Sequence, residues 1–378
     1  MKALLQKIPA LRGSSPLWKW RRLLPLFILP LLLSGCVRAA EINDLSVFSG
    51  LALDREQESG GYRVWAELVT SYEGQESSDE TLIAAAAGDT LSQAVTACAA
   101  ESSGKSHWGH MSALVLSPGA AEQGIEPLLE HFLHNSQYRL SMDLLLFDGE
   151  ETEEVWELQT DSGGIGAYDY SELLLRSREL STAAPVKLCQ AAEILNTPGI
   201  ELTVPVLTAD GEDRAVLSGA GVFLDDRLTG FLSQEELLPL LFLQNKVETA
   251  TLSLPALSAA AELVESSTHI SFTEEDAELM AAVSIRGRLR LSETAGDGLS
   301  SQSLSRLEEA FEEEVERQCA LLVQRVQSQL RSDVFGFGLA LSKETPERWE
   351  PLCQSWNLQS FPLLKATIEC EFTLEQGQ

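Results

Sequence analysis

The chain has 378 residues, with 57 acidic against 27 basic groups and a formal net charge of −30. That balance excludes a nucleic-acid binder and opposes direct adsorption on an anionic bilayer. An apolar fraction of 44% marks a folded chain rather than a disordered one.

The charge is unevenly placed. The first 35 residues hold six of the basic groups and none of the acidic ones, so the remainder carries about −36. Residues 23–33 are apolar, follow Lys19, Arg21 and Arg22, and end in Leu33-Ser34-Gly35-Cys36. Basic, apolar, then small residues before a cut is the grammar of a bacterial secretory signal. A Cys directly after Ser34-Gly35 makes it a lipoprotein signal. The Cys36 thiol takes a diacylglyceryl group, the Gly35–Cys36 bond is cut, and Cys36 becomes the mature N-terminus. Each buried lipid methylene contributes about 0.8 kcal/mol, and two chains anchor stably where one does not. The competing reading, a transmembrane helix, needs about 20 apolar residues; residues 23–33 are too few and include Pro25 and Pro30. The expectation is an extracytoplasmic protein held to a membrane by lipid without spanning it. No later apolar run reaches membrane length, and 237–243 reads as core.

Cys98, Cys189, Cys319, Cys353 and Cys370 remain, an odd number at wide spacing with no CxxC. That pattern fits neither a disulfide scaffold nor a zinc cage, and single buried thiols are expected.

In chain order, 47–54 reads as a strand, 55–61 as a polar turn and 62–68 as a strand of period two, together a hairpin. Leu91, Ala94, Val95 and Cys98 stand at helical spacing, with Asp89 or Thr90 as N-cap. An alternating strand over 111–117, a turn over 119–124, a helix over 125–134 and a strand over 142–147 follow. The loop 161–170 carries Gly163, Gly164 and Gly166. A phosphate-binding turn needs a helix directly after its glycines, and the helical pattern resumes only at Tyr170, so nucleotide binding is not expected. A further helix spans 185–195 and closes at Thr197-Pro198-Gly199. Strands over 200–207, 216–223 and 228–231 lead to Ser233-Gln234-Glu235-Glu236, a helix start of capping-box type. Residues 281–291 alternate and place Arg286, Arg288 and Arg290 on one face. A basic strip on an acidic protein is a candidate partner contact, set against the plainer reading of a solvated sheet face. Over 303–332, Leu304, Leu307, Phe311, Val315, Cys319, Leu322, Val326 and Leu330 form one apolar stripe, the strongest helix in the chain. Its acidic N-terminal half and Arg317, Arg325 and Arg331 suit the helix dipole. Asp333-Val334-Phe335-Gly336-Phe337-Gly338 ends that helix, and 366–374 is a closing strand.

Three separated blocks resemble one known family. Cys36 is followed by Glu41-Ile42-Asn43-Asp44-Leu45 and the hairpin. The central block G-x-G-V-F-x3-R-L-x-G-x-L-x2-E-E begins at Gly219, and D-x-F-G-F-G begins at Asp333, with Pro346, Trp349, Trp356 and Phe361 beyond it. These resemble the spore-germination lipoprotein family, the GerAC-like (Ger(x)C) C subunits of nutrient germinant receptors. Val37-Arg38 stands where that family usually carries Trp-Asp. The resemblance implies a lipid-anchored subunit of a sporulating bacterium, working with two multispanning membrane subunits on the outer face of the spore inner membrane. It offers no catalytic residues to carry over; only Cys36 transfers with a defined role, as the acylated (diacylglycerol, palmitate-type) residue.

The residues themselves show no catalytic set. His107/His110 and His131/His134 have HxxH spacing without HExxH, and no Cys or carboxylate cluster completes a tetrahedral metal site. The runs Glu150-Glu151, Glu153-Glu154 and 312–314 read as solvated faces, and no GxSxG is present. No cofactor or metal is expected beyond the lipid on Cys36. The expected fold is α+β in three domains of mainly antiparallel sheet with helices on one side: signal 1–35, then 36–200, a small middle domain 201–262, and 263–378 with a long helix across a sheet. The expected function is non-enzymatic. The alternative is a lipid-anchored solute-binding protein of a membrane importer, which would favour alternating βα units and a parallel sheet.

Overall fold

The computed structural model describes residues 45–56, 60–70, 80–160, 163–275, 278–294 and 300–375. Gly35 and Cys36 lie outside them.

The first sheet is built from β1 (Leu45–Arg55), β2 (Tyr62–Thr70), β3 (Glu80–Gly88), β4 (Lys105–His107), β5 (Ala113–Leu116), β6 (Asp143–Phe147), β7 (Thr203–Ala209), β8 (Ala215–Leu224) and β9 (Arg227–Ser233). The order is β3-β2-β1-β5-β6-β7-β8-β9, with β4 beside β1. The expected hairpin is present: β1 and β2 pair antiparallel, with Asp54 opposite Arg63. The middle of the sheet departs from the antiparallel expectation, because β1, β5, β6 and β7 run parallel to one another. Parallel neighbours need long crossovers, which here are helices: α1 (Leu91–Ala100), α2 (Pro118–Glu122), α3 (Glu126–Leu133), α4 (Gly166–Glu179) and α5 (Leu188–Leu195).

Helices cover both faces, not one. Leu114 and Leu116 pack with Leu91, Val95, Leu128, Phe132 and Leu188. Ala113 and Val115 pack on the opposite side with Trp65, Tyr170 and Leu174. This explains why β5 and β6 are buried at every position: a parallel strand covered on both faces has no polar side to show.

The second sheet runs β10-β11-β12-β13, from β10 (Ala250–Leu254), β11 (Ala259–Glu275), β12 (Glu278–Glu293) and β13 (Lys365–Glu375). The segment expected as a middle domain is therefore shared between the sheets: β7–β9 close the first, and β10 with the start of β11 opens the second. Between the sheets lies α6 (Leu237–Leu243), entered through Ser233, whose backbone N–H donates to Glu236 Oε2 (2.9 Å) in the expected capping box. The long helix α7 (Ser301–Arg325) continues through a π turn, Val326–Leu330, to Arg331 in the left-handed region. Its stripe of Leu307, Phe311, Val315, Cys319, Leu322 and Val326 joins the core of the second sheet.

The acidic half of α7 does more than face water. Glu316 Oε1 accepts from the Cys370 N–H (2.7 Å), Glu312 Oε1 from Phe372 (2.7 Å) and Glu308 Oε1 from Leu374 (2.8 Å). Four residues of helix advance about 6 Å and two residues of strand about 6.6 Å. Carboxylates at i, i+4 and i+8 therefore match alternate N–H groups of edge strand β13. Glu308, Glu312 and Glu316 stand in for a missing neighbour strand; of the run 312–314 read as solvated, Glu312 is engaged here while Glu313 is exposed.

Candidate functional site

Arg286, Arg288 and Arg290 share the exposed face of β12, as the alternation requires. Each is already engaged across the sheet. Arg286 bonds Glu371 (3.0 Å), Arg288 bonds both Glu265 (3.0 Å) and Glu375 (3.1 Å), and Arg290 pairs with Glu262 (3.5 Å). The face is a mixed ladder of cross-strand pairs rather than a bare basic strip. Such exposed pairs contribute about 0–1 kcal/mol each.

The histidines are not gathered into a metal site. His107 and His110 have ring centroids 5.2 Å apart. His131 lies within hydrogen-bond reach of Ser92 Oγ (3.2 Å) and Tyr138 Oη (3.3 Å), and His134 of the Glu130 carbonyl (3.0 Å). Among the described residues no group of three or more His, Cys, Asp or Glu could hold a metal ion. The five described cysteines are free thiols. Burial pushes Cys98 up to about 11 and Cys319 up to about 12, so neither is a thiolate at neutral pH.

The glycine loop yields a correction. Helix α4 starts directly at Gly166, earlier than its apolar pattern indicates. Its N-terminus, the position that would take an anion, is filled from within. Glu67, 1% exposed, accepts from the Gly166 N–H (2.8 Å), the Ala167 N–H (3.0 Å) and Ser49 Oγ (2.8 Å). The site lost to phosphate is thus occupied by the protein's own carboxylate. Glu153, expected on a solvated face, accepts from Trp65 Nε1 (2.8 Å) nearby.

The D-x-F-G-F-G block forms the densest polar site. Helix α8 (Phe337–Glu344) begins there, after Gly336 at φ +79°. The Asp333 side chain is fully buried. Its Oδ1 accepts from the Gly336 (3.0 Å) and Phe337 (3.1 Å) N–H groups. Its Oδ2 accepts from Gly338 (2.7 Å) and from Trp356 Nε1 (2.7 Å). Burial pushes this carboxyl up to about 6 against four donors that favour the anion. Around it Phe335, Phe337, Trp356 and Phe361 form an aromatic cluster.

Asn357 extends the network: its Oδ1 accepts from the Asp333 N–H (3.0 Å) and its Nδ2 donates to Glu201 Oε1 (2.6 Å). Gly199 and Gly338 meet so closely here that a Cβ on Gly199 would sit 2.5 Å from the Gly338 carbonyl carbon. Neither Asp333 nor Glu201 stood out as a buried carboxylate in the sequence. The available signal was an acid three residues before a glycine in an apolar, aromatic run.

These acids are occupied by hydrogen-bond donors that fix loops and helix ends. The geometry is that of an α+β protein whose buried carboxylates hold its architecture together. Residues 38–209 match a family model described as spore germination protein N-terminal domain, and residues 218–377 one described as spore germination B3/GerAC like, C-terminal. The chain belongs to the GerAC-like spore germination protein family. It is 19% identical to spore germination protein KC of Bacillus subtilis (strain 168), over 92% of each chain. It is 21% identical to spore germination protein YndF of the same organism, over 90% of this chain and 93% of that one. The crystal structure of the GerBC protein shares the fold, with a TM-score of 0.55 at 16% identity over 86% of this chain and 96% of that one. Among the described residues no helix is long and apolar enough to cross a membrane.

Proposed function

We propose that this chain is the lipid-anchored, non-enzymatic subunit of a spore germinant receptor, required for nutrient-triggered germination. The observation that carries the reading is the coincidence of two features. The chain matches the germination family across both of its parts, and Leu33-Ser34-Gly35-Cys36 stands after a basic and an apolar segment. A diacylglyceryl group on Cys36 would hold the protein on the outer face of the spore inner membrane, beside two multispanning subunits. No other cofactor enters the proposal. The absence of a long apolar helix among the described residues is compatible with attachment by lipid. The parallel β1-β5-β6-β7 block is a feature that a solute-binding protein would share, but the family match favours the receptor.

The test is co-purification. A C-terminally tagged chain is recovered from spore membranes in mild detergent, with Cys36→Ala as control. Two multispanning proteins should accompany the wild type, and Cys36→Ala should leave the membrane fraction. Recovery of an ABC permease would move the case to solute binding. Recovery of the protein alone, or its absence from spores, would reject the receptor reading.

A further inference from the structure

Each sheet ends in edge strands: β3 and β9 for the first, β10 and β13 for the second. An edge strand shows unpaired N–H and C=O groups, and folded proteins blunt it with a short strand, a Pro, a bulge, a charge or a cover. β13 is covered by the glutamate ladder of α7. β9 is bulged at Thr229, opposite Val222 and Phe223, and meets Arg325, whose Nη2 donates to the Phe231 carbonyl (2.9 Å). β10 has five residues and runs directly into Pro255.

β3 has none of these devices. It runs nine residues and pairs with β2 at every one of them without a bulge. At about 3.4 Å per residue the edge is about 30 Å long. Residues 81–88 include no charge and no Pro. Among the described residues no strand pairs with the outer side of β3. Leu82 is 59% and Ile83 42% exposed, and Ala85 and Ala87, on the face of Ile83, are exposed with it. The Cys98 thiol reaches the Ala84 carbonyl (3.2 Å) from the opposite face, which α1 covers.

Charge selects what can dock on this edge. Glu80 precedes the uncharged stretch and Asp89 follows it, in a chain of net charge −30. A second copy pairing edge to edge would set acid beside acid at both ends, whether the strands ran parallel or antiparallel, and like charges across strands are destabilising. The complementary occupant carries the opposite sign at its ends. Its side chains can be large, because Ala84 to Ala87 and Gly88 are small.

We propose that the outer edge of β3 is a docking site for an extended segment of another protein, apolar over the length of residues 81–88 and flanked by Lys or Arg. The segment adds to the sheet as a further strand. Main-chain hydrogen bonds supply its affinity, and alternate side chains packed over Ala85 and Ala87 beside Ile83 supply its specificity. This goes beyond the receptor reading and does not depend on it, since the chemistry of the segment defines the partner.

The test places the photo-cross-linking residue p-benzoylphenylalanine at Ala87 of the full-length chain in membranes of its native host, and maps the adduct by mass spectrometry. The expected adduct lies on a different protein, in an uncharged apolar stretch with Lys or Arg on both sides. Ile83→Lys with Ala85→Lys, both at exposed positions, should lower its yield about tenfold by charging the edge. An adduct with a second copy, with another segment of this chain, or with a charged or acid-flanked stretch overturns the proposal. So does the absence of any adduct, an unchanged yield in the double variant, or the same adduct from a cross-linker at exposed Glu313. If the double variant does not fold, the mapped adduct alone decides.

Discussion

The glutamate ladder on α7 makes a quantitative claim. Glu312→Ala removes the acceptor of the Phe372 N–H on the free edge of β13. A hydrogen bond to a charged group contributes about 1.5–3 kcal/mol, and the lower end applies because this edge is only partly buried. Against that, Glu308 and Glu316 stand four residues to either side, and each like-charge pair on a helix costs about 0.2–0.5 kcal/mol. Relief of both pairs leaves a net loss of about 1 kcal/mol. Glu312→Gln keeps an oxygen acceptor and relieves the same repulsion, so it should stay within about 0.5 kcal/mol of wild type. Glu313→Ala, on the exposed side of the same helix, is the control. Denaturant unfolding gives the energies, and amide exchange at Phe372 gives the location. Replacing Glu308, Glu312 and Glu316 together should cost about 4 kcal/mol, three bonds less the relief of two like-charge pairs. It should also bring concentration-dependent association, because an uncovered edge strand templates pairing. Equal Phe372 exchange in Glu312→Ala and Glu313→Ala would refute the ladder.

Three further outcomes follow from geometry. Gly199→Ala forces a Cβ to 2.5 Å from Gly338 C and Leu339 N at φ +86°; left-handed strain and overpacking together should cost about 3 kcal/mol in chemical denaturation, and a loss below about 1 kcal/mol would show that the two glycines do not need this approach. Glu67→Ala strips the acceptor from the Gly166 and Ala167 N–H groups and Ser49 Oγ and should cost about 3 kcal/mol, with exchange at Gly166 and Ala167 rising first; a neutral result would mean that water replaces the carboxylate. Alanine at Arg286, Arg288 and Arg290 together should leave Tm nearly unchanged, since exposed pairs contribute little. If this face contacts the proposed multispanning subunits, the same variant loses them in the pull-down, and undiminished recovery excludes the face.

Local signals in the sequence translated well where the chain interacts with itself at short range. The N-cap at Thr90, whose Oγ1 accepts from the Gln93 N–H (3.2 Å), was legible, as were the Ser233–Glu236 box and the stripe of α7. Partners far apart in the chain were not. Strand β3 carries Ala84 to Ala87, residues with high helix propensity, and is a strand because β2 pairs with it throughout. β11 hides a long strand behind alternating polar residues that face outward to meet the arginines of β12. The parallel middle of the first sheet depended on which helices cross over, and no residue pattern states that.

The acids show the limit most clearly. Counting charges treats Glu67, Glu308, Glu312, Glu316 and Asp333 as surface, because the backbone N–H groups they bind lie between 3 and 100 residues away along the chain. An acceptor can serve a strand edge or a helix N-terminus only where the fold delivers one, so its role is a property of register rather than of composition. The consequence reaches function. A part of the net negative charge is spent inside the molecule, on β13, on α4 and on the Asp333 turn. The exposed face of the second sheet is meanwhile balanced pair by pair through Arg286, Arg288 and Arg290. A membrane partner docking on that face would meet hydrogen-bonded ion pairs to rearrange, not the uniform acidic field that the composition suggests.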